Sequence, residues 1–144
     1  MNTKYLEEQI IAFVRAFGLH KNGETPCGKP ISVAEAYVLM ELARDGQMSQ
    51  LALVERLNLV KSTVSRLVQQ MVQRGWIKRE RSLEDGRVWL CQLTPAGQKI
   101  ARDVAEARSR KFEGIIAQIP EDSQGNVLKS LTILVEAIRG TNNK

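Results

Sequence analysis

Two cysteines and one histidine are the only thiols and imidazole in this 144-residue chain. Cys27 and Cys91 are too few for a disulfide framework, and a reduced cytoplasm is the simplest compartment. One His and two separated Cys do not supply four metal ligands at a usual spacing. With His20 the only imidazole, no Ser-His-Asp or Cys-His constellation exists. There is no phosphate-binding loop either, so neither an enzyme nor a bound cofactor is expected. Long apolar runs are also missing. None approaches the ~18 residues of a membrane helix, and Glu7 and Glu8 stand where a signal peptide would be apolar. Internal repeats and low-complexity tracts are absent.

A more local absence is the most informative. No acid occurs between Lys61 and Arg79. Within that interval, KSTVSRLVQQMVQRG (Lys61 to Gly75) reads as a two-faced helix. Val64, Leu67, Val68, Met71 and Val72 form one apolar stripe at i, i+3, i+4, i+7, i+8. Ser62, Thr63, Ser65, Arg66, Gln69, Gln70 and Gln73 fill the other face. An ordinary solvated face mixes in Glu and Asp. Hydroxyls, amides and a guanidinium without acids suit a DNA major groove instead: Arg for guanine, Gln for adenine, Ser and Thr for phosphates or either base.

The neighbouring residues agree. Net charge is +5, and from Asn58 to Leu90 seven bases face only three acids, so most of the excess is local. Before the two-faced helix, Ser49 caps a short helix, Gln50 to Leu57, with Leu53, Val54 and Leu57 inward. Asn58 tolerates the left-handed conformation that a tight interhelical turn demands. Helix, short turn and helix with a polar outer face make a helix-turn-helix. After it, Gly75 is a C′ stop. Trp76 to Arg81 and Val88 to Leu93 read as strands joined by SLEDGR, whose Asp85-Gly86 supplies the turn. A hairpin in this place is a wing. Lys78, Arg79, Arg81 and Arg87 on and around it suit phosphate contact or minor-groove insertion.

The flanks read as helices. Thr3 to Phe17 has an apolar stripe of Leu6, Ile10, Phe13, Val14 and Phe17, and Gly18 to Pro30 is a loop. Ser32 with Glu35 makes a capping box for a helix that is apolar nearly all round and so expected to be buried. Capping and solvent exposure account for its acids, Glu35 and Glu41. Thr94-Pro95 opens a long helix to about Gln118, with Ile100, Val104, Phe112, Ile115, Ile116 and Ile119 as its apolar side. Pro120 to Gly125 is expected to break it. A last helix, Asn126 to Arg139, carries Val127, Leu128, Leu131, Leu134, Val135 and Ile138 in register. These stripes exceed what a small winged core buries, and the economical partner is a second copy.

This order of elements resembles the MarR family of bacterial transcription regulators over essentially the whole chain. Two motifs carry the resemblance. KSTVSRLVQQMVQRGWIKR (Lys61 to Arg79) looks like the recognition helix and its exit through Gly75. DGRVWLCQLTPAG (Asp85 to Gly97) looks like the wing tip, strand and Leu-Thr-x-x-Gly entry to the long helix. The resemblance implies a mainly α fold with a small β-hairpin wing. Residues 1–144 would form one domain, with a winged helix-turn-helix at 32–94 and a helical dimerisation part at 1–31 and 95–144. It implies a homodimer on double-stranded DNA, a repressor at a pseudo-palindromic operator, and release by a small-molecule effector or another signal. By position Lys61, Ser62, Thr63, Ser65, Arg66 and Gln69 would meet bases and phosphates, with Arg79 and Arg81 on the wing. Asp85 would orient the wing by pairing with a neighbouring Arg, and Arg87 would enter the minor groove. Thiol oxidation releases some members. Cys27, in a loop near His20, Lys21 and Lys29, is the candidate redox sensor here, set against an inert loop thiol, because the family's familiar sensing Cys lies in the first helix. Cys91, alternating with Trp89 and Leu93, is expected in the core. The alternative function is a winged-helix protein-interaction module without DNA binding, which would favour acids or large apolar groups where Ser62, Ser65, Arg66 and Gln69 stand.

Overall fold

The structure, a computed structural model, describes residues 2–143. The elements run α1 (Thr3–Phe17), α2 (Val33–Asp45), β1 (Met48–Ser49), α3 (Gln50–Leu57), α4 (Lys61–Gln73), β2 (Ile77–Arg81), β3 (Trp89–Leu93), α5 (Pro95–Ala117) and α6 (Glu121–Asn142). The three strands form one antiparallel sheet in the order β1-β3-β2. Two compact units emerge, Met1–Arg108 and Ser109–Lys144.

In the first unit the local signals work as the sequence predicts. Ser32 Oγ accepts from the Glu35 amide while Glu35 Oε1 accepts from the Ser32 amide, both at 3.1 Å, which completes the capping box. Ser49 Oγ accepts from the Ala52 amide at 3.0 Å and starts α3. Asn58 ends α3 in the left-handed region, with φ 53°. These caps aim α2, α3 and α4 inward. Val38, Leu39, Leu42, Leu53, Val64, Val68, Met71, Ile77 and Cys91 form one buried cluster, joined by Ala101 and Val104 of α5. Burying each large aliphatic chain contributes roughly 1.5–3 kcal/mol before entropy is counted.

Several expectations need correction. Val72, at the edge of the α4 stripe, is exposed, while Val64, Leu67, Val68 and Met71 are buried. α2 is not buried all round: Tyr37 is exposed, while Glu35 is buried and Glu41 half-buried. Neither acid is a solvated one. Glu41 accepts from Arg44 at 2.6 Å and from Arg56 at 3.2 Å, and Asp45 also pairs with Arg56, which ties the end of α2 to α3. β1 has no counterpart in the sequence pattern. Two residues are too short for a periodic signal, and pairing with β3 (Met48 opposite Cys91) defines them.

In the second unit the last helix starts at Glu121, five residues before the expected Asn126, and runs to Asn142 rather than Arg139. Pro120 is its N-cap and not a longer break. Glu121 and Asp122 favour the positive helix start. Gln124 donates to the Ile116 and Ile119 carbonyls, satisfying the end of α5. Gly125 inside a helix costs about 1 kcal/mol, which does not stop a helix carrying those compensations. No residue of α6 is buried.

Candidate nucleic-acid interface

The polar face of α4 is held outward because its apolar face is locked in the core. Val64, Val68 and Met71 have no exposed surface. Lys61, Ser62, Arg66, Gln69, Gln70 and Gln73 are therefore exposed, and Thr63 and Ser65 half-buried. Among the described residues, Lys61 and Arg66 have no ion-pair partner. No side chain caps α4, whose N-cap is Val60; the Thr63 and Val64 amides donate to the Val60 carbonyl at 3.1 and 3.2 Å, which leaves those of Lys61 and Ser62 without a capping partner. The other end is closed. The Trp76 amide donates to the Met71 carbonyl and the Gly75 amide to that of Val72, both at 3.0 Å. With Gly75 at φ 78°, this is the Schellman arrangement.

The wing follows directly. In β2, Arg79 and Arg81 lie on the face that carries Trp89, and Arg81 is opposite Trp89 in the ladder. Both guanidinium carbons stand over the indole, at 4.4 and 3.9 Å from a ring centre. Arg79 also donates to Gln50 Oε1 at 3.3 Å and Arg81 to the Gly86 carbonyl at 3.0 Å. By sequence these two are ordinary exposed bases. In the fold they are pre-ordered, and the ring that orders them lies on the neighbouring strand, where periodicity within β2 gives no sign of it. Lys78 stands 3.7 Å from Glu80.

At the wing tip Asp85 accepts the Arg87 amide at 3.0 Å, Arg87 Nε at 3.1 Å and Arg87 Nη2 at 3.2 Å. The guanidinium bond, then the amide bond, hold the Asp85 carboxyl below its ordinary range. Arg87 remains 91% exposed in its side chain, so the pair orients the guanidinium without withdrawing it from solvent. Leu83 beside it is fully exposed.

The hairpin is latched to α5 by the Leu-Thr-x-x-Gly motif. Thr94 Oγ1 accepts from the Gly97 amide at 3.0 Å and donates to the Gly75 carbonyl at 2.5 Å, while the Thr94 amide donates to the Trp76 carbonyl at 3.0 Å. One threonine thus joins the start of α5 to the exit of α4.

The two thiols differ. Cys91 is buried in the core, and burial pushes its pKa from 9 up to about 11, with the Arg79 charge pulling weakly the other way. Cys27 is half-buried in the loop after α1. There the Thr25 and Lys29 backbones close a turn, and Lys21 faces Glu24 at 3.9 Å. No described contact brings His20, Lys21 or Lys29 onto the Cys27 sulfur. Among the described residues no three His, Cys, Asp or Glu side chains cluster as metal ligands, and no helix is long and apolar enough to cross a membrane.

Comparison with known proteins shows what this geometry resembles. Residues 29–88 match the MarR family. The HTH-type transcriptional regulator YdgG of Bacillus subtilis (strain 168) is 25% identical over 97% of each chain. Transcriptional regulator AdcR of Streptococcus pneumoniae serotype 2 (strain D39) is 25% identical over 73% of each. Among solved structures, FabT of Streptococcus pneumoniae in complex with DNA superposes with a TM-score of 0.75 at 22% identity, covering 96% of this chain and 95% of that one. PcaV of Streptomyces coelicolor in complex with its natural ligand gives 0.72 at 20% identity, covering 96% and 94%. At such identities the structural likeness speaks for the fold. The sequence relatives are named as regulators of transcription, not as enzymes. The chain is thus similar to the MarR family over residues 29–88, to named transcription regulators in sequence, and to winged-helix structures in fold.

Proposed function

We propose that the chain works as a homodimer that binds double-stranded DNA sequence-specifically and represses transcription from a pseudo-palindromic operator. α4 enters the major groove, where Arg66 and Gln69 read base edges and Lys61, Ser62, Thr63 and Ser65 meet phosphates or bases. Arg79 and Arg81 contact the backbone, and Arg87, aimed by Asp85, reaches the minor groove. The observation that carries the reading is the acid-free exposed face of α4 beside an arginine-rich wing. Dimerisation is supported by apolar side chains left exposed on α1 (Tyr5, Ile11, Phe13) and α6 (Leu128, Leu131, Ile133, Ile138). Two copies related by a two-fold axis would set their α4 helices about 34 Å apart, one turn of duplex. Release by a small molecule is supported by the ligand-bound PcaV relative alone. Action in the cytoplasm accords with these roles.

Selection of duplexes from a random pool, followed by titration of the best site, tests the reading. A recovered palindrome bound at least about a thousand-fold tighter than random DNA is expected. Arg66→Ala should cost roughly 1–3 kcal/mol on that site and relax one position per half-site. Enrichment of no sequence would leave the protein-interaction alternative.

A further inference from the structure

Glu35 is the one buried charged residue among those described, and only Thr25 joins it as a buried polar residue. Its two oxygens do different things. Oε1 accepts the Ser32 amide within the capping box of α2. Oε2 has no hydrogen-bond donor aimed at it, yet lies 2.9 Å from Arg74 Nη1. That contact is an ion pair off the line of the N–H. Arg74 caps the C-terminal end of α4, and its guanidinium lies 4.8 Å from the centre of the Trp76 ring. The start of α2 is thereby pinned to the exit of the helix that carries the base-reading side chains.

A buried carboxylate is costly unless paired, and such pairs seldom improve on an apolar contact in net stability. What a pair of this kind supplies is geometry. The face of α4 is useful only if its side chains meet base edges within hydrogen-bond reach, and a helix held solely by aliphatic packing tolerates small rotations. The pair also removes a cation. Arg74 belongs to the basic stretch by sequence, but with Glu35 attached it is no longer a free charge for any phosphate that passes.

We infer that the Glu35–Arg74 pair is a specificity strut: Glu35 positions the recognition helix through Arg74 and withholds the Arg74 charge from non-specific DNA. The consequence for DNA rests on the proposed function; the strut itself does not. Glu35→Gln separates the two roles of the side chain. Glutamine serves equally at this capping-box position, but with its oxygen on the Ser32 amide an uncharged NH2 donor replaces the oxygen that faces Arg74, so the ion pair is lost.

The test combines hydrogen exchange without DNA and titration with DNA. In Glu35→Gln, amides in the last turn of α4 (Gln70 to Arg74) should exchange faster, while the first turn of α2 keeps its protection. Affinity for the selected operator should fall by roughly ten-fold, the worth of about one base contact, while affinity for random duplex holds or rises. Arg74→Ala leaves the buried Glu35 carboxylate unpaired and so costs stability; in the folded protein, verified by circular dichroism, it should lower operator affinity similarly with an unchanged salt slope. The double variant should lose little more than either single one. Unchanged exchange in both variants overturns the strut, whether or not any DNA binds. Equal tightening on operator and random DNA by Glu35→Gln, or a flatter salt slope in Arg74→Ala, makes Arg74 a plain phosphate contact and overturns the inference too. A protein with faster exchange that prefers no duplex would keep the strut and overturn its role in DNA specificity together with the proposed function.

Discussion

Gly97→Ala is the sharpest structural perturbation available. A Cβ built on Gly97 would lie 2.0 Å from the Trp76 carbonyl oxygen, 2.9 Å from its carbon and 3.2 Å from its Cα. All three are backbone atoms, so no side chain can swing aside. A carbon-to-oxygen contact needs about 3.3 Å, so the start of α5 and the Trp76 peptide must separate by more than ~1 Å. Overpacking of that kind costs roughly 1–3 kcal/mol. The Trp76 carbonyl also accepts the Thr94 amide at 3.0 Å, and Thr94 holds the Gly75 carbonyl. Stretching those bonds adds about 1 kcal/mol. A total near 3 kcal/mol corresponds to a fall in Tm of roughly 10 °C for a chain of this size. Thermal unfolding followed by circular dichroism, at one protein concentration, measures it. Gly125→Ala is the contrast. No atom lies within 4 Å of a Cβ there, and the position is inside α6, so Tm should hold or rise slightly. Because Trp76 directly follows the Schellman turn of α4, Gly97→Ala should also weaken operator binding in the fraction that remains folded. A Gly97→Ala protein that melts with the unmodified one would refute the close approach of α5 to the wing.

Other perturbations probe the wing, the second unit and the thiols. Arg87→Ala should leave Tm within error, since its pair with Asp85 is solvent-exposed and screened, and should flatten the log–log salt dependence of DNA binding by about one unit for each phosphate no longer neutralised. Asp85→Ala should weaken binding by freeing Arg87, although it removes a negative charge; tighter binding in a salt-series titration would show that Asp85 does not aim the wing. Leu131→Asp, on the exposed apolar side of α6, should lower dimer content in sedimentation and operator affinity together, and a monomeric unmodified protein at micromolar concentration would sink the assembly. Native protein should react with a maleimide at Cys27 alone, with or without DNA, whereas urea should expose Cys91 as well; peroxide release that Cys27→Ser abolishes would instead make Cys27 a sensor. The raised pKa of Cys91 means that the unfolded chain ionises first. Stability from this group is whole below about pH 9 and is lost as pH rises through about 11, which urea titrations across that range would report.

What the residues determine by themselves is everything written within one or two turns of chain. The Ser32–Glu35 box, the Ser49 cap, Asn58 in the turn, Gly75 after α4 and Asp85-Gly86 at the wing tip each act on backbone groups a few positions away. The acid-free face of α4 belongs here as well, because periodicity alone separates it from Val64, Val68 and Met71. Tertiary structure decides who partners whom across the fold. Arg74, Arg79 and Arg81 are equivalent bases in the sequence. Packing gives the first to Glu35 and Trp76 and the other two to Trp89. β1 exists only because β3 lies beside it, and Gly97 matters only because Trp76 arrives there. The late start expected for α6 fails for a related reason. Pro120 stands at the N-cap, outside the helix interior where proline is costly, and the penalty of about 1 kcal/mol for Gly125 is offset in part by the Gln124 bonds to the end of α5. Local propensity is a property of a segment, whereas ion pairs, ring stacking and close backbone approach depend on coordinates that no single segment contains.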